Sequence, residues 1–556
     1  MMETEAPTAP PLRIPGWTIV LFAAAILLAY LGLLGHGALA EPDEARYGEI
    51  AREMLELRDW VTPHLNYVKY FEKPPLVYWL TAINEHAFGA SEFIVRLWPA
   101  VCGLLGIGLA DVLGRAMYGP WTGHVAAALL AATPLYFGLS QIVILDMPLS
   151  AMLTVALAAF WFAYTARGGR RQQLFVLVMY AATALAVLIK GPVAVVLTAG
   201  IIGAFLLVRW DWGVLRWAIS LRAVGLFVII ALPWFVVVSY RNPEFLDFFI
   251  FKQHVARYLT PDEHQQSVWF FVPIVWAGML PWSLLLLAPR RLGRFAMRVA
   301  TRQASPATLF CVLWAAVVFT FFSLSGSKLA TYILPMFCPL ALLAARYFET
   351  VIGRRRGAIL WRGCIAMGVL AVVLVLGALV ILVAIADPRA RLLIPQLFGA
   401  SLVVALAASA AWRCLQRDAL GACFAMLILG TLGLQAVAIS GRGVAQEYRR
   451  LGDVIREQAR PEDLVVSYRH YVQGIPFYAR RRMVMVNGRG ELDFGSRQGD
   501  QRDFFWDTED MLREAWRSNQ HMFLVVNGSE LDALHLQPPP RQIAAYGKKL
   551  VVVNFE

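Results

Sequence analysis

Apolar residues recur along this chain in runs of about twenty, from Trp17 to Ile439, each long enough to cross roughly 30 Å of hydrocarbon as a helix. Charged or proline-bearing breaks between them predict spans near 17–36, 96–116, 120–138, 144–165, 173–189, 192–208, 223–240, 268–288, 306–323, 331–347, 359–385, 393–412 and 419–440, about thirteen in all. The first run lacks a basic flank and a small-residue cleavage site, so it reads as a retained span. Two polar stretches interrupt the series, 40–80 and 241–267. From Gly441 the pattern changes to a helix over Val444 to Gln458 and to β-branched runs bounded by Gly, Asn or Pro. The runs Leu464 to Tyr468, Met483 to Asn487, Met522 to Asn527 and Lys549 to Asn554 read as strands, with a further helix near Thr508 to Arg517. The expected organisation is a membrane region over 1–440, holding interfacial helices at 41–92 and an outer loop at 241–267, followed by a small soluble α/β domain over 441–556.

Composition agrees with that pattern. The chain is 59% hydrophobic and 16% charged, with a mean hydropathy of +0.58, whereas a soluble chain carries roughly a quarter charged residues. The net charge of +12 raises the question of nucleic acid, but the arginines cluster in alternate short loops. Arg167, Arg170 and Arg171 form one cluster; Arg290, Arg291, Arg294, Arg298 and Arg302 another; Arg354, Arg355 and Arg356 a third; Arg413 and Arg417 a fourth. That is a topology signal, and it places all four loops and the N-terminus in the cytoplasm. The polar stretches and the C-terminal domain then face the other side. The six cysteines fall in or beside apolar spans, and no disulfide framework, zinc spacing, P-loop or dinucleotide fingerprint is visible.

The outer face carries the candidate chemistry. Glu41-Pro42-Asp43-Glu44-Ala45-Arg46-Tyr47 opens a helix with Pro and two acids in its first turn. Tyr47, Ile50, Ala51, Met54 and Leu55 share one face, with Arg46, Glu49, Arg52 and Glu53 largely opposite, which suits a helix lying in the interface. Asp43 reads equally well as a helix cap. In Tyr70-Phe71-Glu72-Lys73-Pro74-Pro75 the double proline forces an extended approach. Lys73 there fits an anionic head group, although lysine near a bilayer also simply snorkels. Asp146 stands at the mouth of the fourth span, where a carboxylate is costly and functional by default. Lys190 ends the fifth span on the side opposite to the topology signal. The loop Lys252 to Tyr258 with His254, Arg257 and Tyr258, and the segment Ser325 to Tyr332 with Lys328 and Tyr332, add donors. Carboxylates (Asp43, Glu72, Asp146) serve a sugar-transfer transition state, and cations (Lys73, Lys190, Arg257, Lys328) serve phosphate. The combination points to a glycosyltransferase that uses a lipid-phosphate sugar donor. A transporter is the reading from another class; it predicts internal repeats and polar groups at mid-membrane, which the sequence does not display.

These motifs, with Arg96-Leu97-Trp98-Pro99, Leu145-Asp146-Met147-Pro148, Lys190-Gly191-Pro192 and Lys328-Leu329-Ala330-Thr331-Tyr332-Ile333-Leu334-Pro335, resemble in order the bacterial lipid A aminoarabinose transferases. That family belongs to the GT-C membrane glycosyltransferases and lies close to the protein O-mannosyltransferases. Ala330 replaces the usual proline of the last motif. The resemblance implies a polytopic α-helical GT-C protein of the bacterial inner membrane with its site and C-terminal domain in the periplasm. It implies an undecaprenyl phosphate–4-amino-4-deoxy-L-arabinose donor, a lipid A phosphate acceptor and inversion at the sugar carbon. The outcome it implies is resistance to polymyxins and other cationic peptides. A protein O-mannosyltransferase is the nearest alternative. On this reading Asp43, Asp146 and Glu72 are catalytic, and Glu44, Arg46, Tyr70, Lys73, Lys190, Arg257, Tyr258, Lys328 and Tyr332 bind substrate. Glu72 beside His254 offers an oxygen and an imidazole, a pair that suits zinc or manganese but is an incomplete ligand set. No nucleotide cofactor or nucleic acid is expected, and the protein is expected to act as a monomer among membrane lipids.

Overall fold

The structure is a computed structural model describing residues 16–256, 265–285, 305–352, 358–385, 388–444, 447–518 and 520–555. The chain forms two compact units. A helical unit comprises Met1–Leu34, Pro99–Val236 and Leu246–Gly441; an α/β unit comprises Gly35–Trp98, Val237–Phe245 and Arg442–Glu556. One division falls between Gly441 and Arg442, beside the change of pattern expected at 440/441. Residues 41–92 and the start of the 241–267 loop, expected in the membrane region, instead pack with the C-terminal segment.

In the helical unit, nine helices among the described residues are long and apolar enough to span a bilayer, and ten if a bent pair counts as one. The bent pair, Pro120–Ala131 and Pro134–Ser140, replaces the single span expected over 120–138 and turns by 64°. Thr133 is the cause: it precedes Pro134 and takes extended backbone, as sterics at a pre-proline position demand. The spans expected at 17–36 and 192–208 are shorter apolar helices, Ile19–Leu31 and Val193–Arg209. Near 268–288 the described elements are Phe271–Gly278 and Trp282–Leu285. The basic loops at 290–302 and 354–356 lie outside the described residues.

In the α/β unit, six strands form one sheet in the order β5-β4-β3-β6-β8-β7. They are β3 (Leu464–Tyr468), β4 (Met483–Val486), β5 (Phe505–Trp506), β6 (Met522–Asn527), β7 (Arg541–Tyr546) and β8 (Lys549–Val553). The four strands from β5 to β6 run parallel, and β8 and β7 are antiparallel. A sheet covered on both faces needs strands apolar at every position. Accordingly Val466, Val484, Leu524 and Val552 pack with Leu512 and Trp516, while Val465, Phe523, Val525 and Val551 pack with Leu451 and Ile455 on the other face.

The early part of the chain is bonded into this unit. β1 (His64–Leu65) and β2 (Val68–Lys69) form a hairpin whose turn residues Asn66 and Tyr67 have φ of 54° and 61°, the left-handed pair of a type I′ turn. The Asn66 amide then clasps Met483 at the start of β4, donating to its carbonyl at 2.9 Å and accepting its N–H at 2.8 Å. Asn242 donates to Thr62 Oγ1 at 3.0 Å, and Lys69 pairs with Glu244 at 2.6 Å. The helix Asp43–Leu57 departs from the two-faced pattern expected of it: Glu49 and Glu53 are as inaccessible as Ile50 and Met54.

Candidate active site

In the α/β unit, Asp43 is the first residue of its helix, and the cap position before it is held by Pro42. Its carboxylate, half-exposed, takes a hydrogen bond from Arg46 Nη2 at 2.5 Å. The other arm of Arg46 pairs with Glu491 at 2.8 Å and donates to the Tyr70 hydroxyl at 3.1 Å. Burial alone pulls the Arg46 guanidinium down, but Tyr70, Tyr47, Glu491 and Asp43 around it outweigh this, so it stays charged. Burial pushes the Glu491 carboxyl up, with Arg46 and Gln473 pulling the other way. Burial also raises the Tyr70 phenol, and the nearby Glu72 charge adds to that. Asp43 is therefore a solvent-facing carboxylate oriented by a buried cation. The capping alternative is not what the geometry displays.

Glu72 is half-buried and makes no hydrogen bond or ion pair with the described residues. Lys73 follows it, also half-buried, ahead of Pro74 and Pro75, the latter capping the helix Leu76–Phe88. Glu44 does not serve the substrate role expected for it. It is 2% exposed, chelated by Arg96 and bonded to the Ala40 N–H at 2.8 Å, so both oxygens are committed to structure.

In the helical unit, the structure brings Asp146, Lys190 and Tyr332 together. Asp146 is the first residue of the helix Asp146–Thr165, where negative charge faces the positive end of the helix dipole, and Pro148 is tolerated in that first turn. Lys190 is the last residue of Gly169–Lys190, where a cation complements the carbonyl end. Gly191 at φ 82° and then Pro192 stop that helix. The two charges meet at 2.5 Å, and the Lys190 ammonium sits 4.4 Å from the centre of the Tyr332 ring. Lys328, 5% exposed, donates to the carbonyls of Ser325 at 2.6 Å and Gln266 at 3.0 Å. Its charge has no carboxylate partner among the described residues.

Arg257 and Tyr258 lie outside the described residues, as does the side chain of His254. Among the described residues no group of three His, Cys, Asp or Glu side chains is arranged to hold a metal ion. Sequence reasoning missed Glu491. It lies in the turn Gly490–Leu492 after β4, between Arg489 and Asp493 in a glycine-rich stretch with no periodicity or motif around it.

Two families match this chain: Dolichyl-phosphate-mannose-protein mannosyltransferase over residues 16–249, and Aminoarabinose transferase C-terminal domain over residues 451–554. A crystal structure of ArnT from Cupriavidus metallidurans bound to undecaprenyl phosphate superposes with a TM-score of 0.87 at 29% identity, over 97% of this chain and 98% of that one. The chain belongs to the aminoarabinose transferase family. Within that family, an undecaprenyl phosphate-alpha-4-amino-4-deoxy-L-arabinose arabinosyl transferase 2 of Sodalis glossinidius is 34% identical over 340 residues, 59% of each chain. An arabinosyl transferase of the same designation from Edwardsiella ictaluri is 30% identical over 371 residues, 66% of each. In sequence the chain thus matches less than two thirds of these relatives' length. Family membership and the apolar helices make this a multi-pass membrane protein of GT-C type with a C-terminal α/β domain.

Proposed function

We propose that this protein is an inverting glycosyltransferase that moves 4-amino-4-deoxy-L-arabinose from undecaprenyl phosphate to a phosphate of lipid A, acting as a monomer. The observation that carries the proposal is the half-exposed Asp43 carboxylate, held in place by an Arg46 that Glu491 and Tyr70 fix from behind. The relatives named for this sugar and the relative crystallised with undecaprenyl phosphate support the choice of donor. The distribution of arginines supports a site on the periplasmic side of the inner membrane.

The reaction exchanges one C–O bond for another. An oxygen of the acceptor phosphate attacks the anomeric carbon from the face opposite the donor phosphate. The bond from that carbon to the donor oxygen breaks, and undecaprenyl phosphate leaves with the electron pair. A phosphate monoester has a second pKa of about 6, so the acceptor is largely ionised near neutrality and needs no strong base. Asp43 then stabilises positive charge growing on the sugar and orients the acceptor. The cations available for stabilising a departing phosphate are Lys73 in the α/β unit, Lys190 and Lys328 in the helical unit, and Arg257. Asp146 holds Lys190 in position and offers its remaining oxygen to the sugar amine.

A divalent metal remains part of the proposal only through Glu72, whose carboxylate is uncommitted among the described residues; no step above depends on it. The test is to incubate radiolabelled donor with lipid A and purified protein. Label in lipid A, lost in Asp43→Asn, is the expected result. Label in a peptide hydroxyl instead would make this a protein O-mannosyltransferase-like enzyme, and label in neither would remove the proposal.

A further inference from the structure

Besides Asp43 and the Arg96-chelated Glu44, the helices Asp43–Leu57 and Leu76–Phe88 carry four carboxylates, and three of these are buried. Glu49 and Glu53 are 0% exposed and Glu85 is 5% exposed. The two helices pack against each other. One cation lies among these acids on its own helix, Arg52, and it is already spent. It chelates Glu49 at 2.7 Å through Nε and 2.7 Å through Nη2, and its remaining arm binds the fourth acid, the half-exposed Glu56. Glu53 uses one oxygen to accept the Tyr67 N–H at 2.9 Å; its other oxygen, and both oxygens of Glu85, have no hydrogen-bond partner among the described residues. The hydroxyls of Tyr78, Thr81 and Tyr471 are also buried without hydrogen-bond partners among the described residues.

Burial disfavours the ionised form of a carboxylate that has at most one donor and no committed counter-ion, and favours the neutral, protonated acid. The charges facing the cluster do not change that. Glu85 faces Glu49, which repels its charge, and Arg52 and Arg480, which oppose that weakly. Glu53 faces Glu49 and Arg52 on its own helix, Arg482 from the turn before β4, and the Tyr471 ring. Burial and then the Glu49 charge raise Glu85 to about 8 and push Glu53 up in the same direction.

We propose that Glu53 and Glu85, beside the Arg52-paired Glu49, form a proton-held clasp on these two packed helices, and that losing its protons to alkaline water releases the clasp and switches the enzyme off. The position of the clasp gives it leverage. Asp43 and Arg46 occupy the first turn of one helix, and Glu72 and Lys73 lead directly into the other. An ionised Glu85 on one helix faces the Glu49 charge on the other, and that repulsion drives the helices apart and displaces both sets of residues. The sign follows from linkage: the folded carboxyls hold protons that the unfolded chain has released near 4.5, so the unit loses stability as pH rises through about 8.

The enzyme-level part of this inference rests on the proposed transfer reaction; the stability part does not. The experiment therefore has two arms on full-length protein in lipid nanodiscs. In the first, thermal unfolding is followed from about pH 6 to about pH 9 for the wild type, Glu85→Gln and Glu53→Gln, the amide being a neutral mimic of the protonated acid. The wild type should lose about 5 °C or more over that range, and the amide variants about half of that or less. Glu41, also raised to about 8 by burial, titrates in the same window, so the difference between variants is the readout and not the wild-type slope alone. In the second arm, transfer by the wild type should fall about fivefold or more at the alkaline end and recover on return to neutrality, while Glu85→Gln keeps its neutral rate. Equal pH slopes in all three proteins would overturn the proposal. So would stabilisation of the wild type, but not of Glu85→Gln, by calcium at alkaline pH, because the carboxylates would then be holding a cation and not protons.

Discussion

Arg96 grips both carboxylate oxygens of Glu44, at 2.9 and 2.8 Å, with the two side chains 0% and 2% exposed. The same guanidinium donates to the carbonyls of His36, Gly37 and Ala38 at 3.0, 3.0 and 2.7 Å. Both residues lie in motifs that look catalytic in the sequence, yet their joint task is to fix the chain leaving the first apolar helix. Removing either partner strands a buried charge, so Glu44→Ala and Arg96→Ala should each destabilise the α/β unit by about 3–5 kcal/mol. Folded yield and thermal unfolding in detergent measure this. A variant that is fully folded but inactive would return Glu44 to the substrate.

The Asp146–Lys190 pair makes the opposite forecast. Asp146→Asn and Lys190→Met should each cut transfer about a hundredfold while the protein stays monodisperse. Because the residues act as one unit, the double variant should lose little more than either single one. Steady-state rates on labelled donor provide the comparison, and additive losses would separate their roles.

Glu491 is forecast to act through Arg46 and not on the substrate directly. Glu491→Gln keeps the shape and removes the charge that fixes the guanidinium, so kcat should fall about tenfold with KM nearly unchanged. A rise in KM alone would place Glu491 in binding.

Trp516 tests the sheet. It is fully buried in the face that holds Val484 and Leu524, and its Nε1 donates to the Pro538 carbonyl at 2.8 Å. Trp516→Ala should cost about 3–5 kcal/mol, read as a lower unfolding temperature.

A chelator decides the metal question. If Glu72 helps hold a divalent ion, extensive dialysis against a chelator should lower transfer, and zinc or manganese should restore it in the wild type but not in Glu72→Gln. Full activity after chelation would leave Glu72 to electrostatics alone.

Legibility in the sequence followed the range of the forces. Leu464–Tyr468 and Met522–Asn527 were readable to the residue because a strand covered on both faces is apolar throughout. Arg541–Tyr546 was not, because an edge strand with exposed Arg541 and Gln542 carries no such run. The break at Thr133 was hidden inside an apolar stretch that passes for one span. Asp146 and Lys190, which the structure pairs, were legible because charge beside a membrane helix is conspicuous. Glu44 was misjudged because its partner is fifty-two positions away. Glu491 left no trace at all, since its meaning comes from Arg46, which lies in another pass of the chain.

The α/β unit is built from three separated passes of the polypeptide, and this sets a timetable for its manufacture. Glu44 and Arg96 belong to the first pass and can pair as soon as it emerges from the membrane insertion machinery. Glu41, Arg46 and Asn66 must wait for Gly474, Glu491 and Met483, which arrive after most of the apolar helices have been synthesised and inserted. Until then the carboxylate-rich first pass lacks the partners that fix it, so Glu41, Arg46 and Asn66 reach their final places only when the third pass arrives.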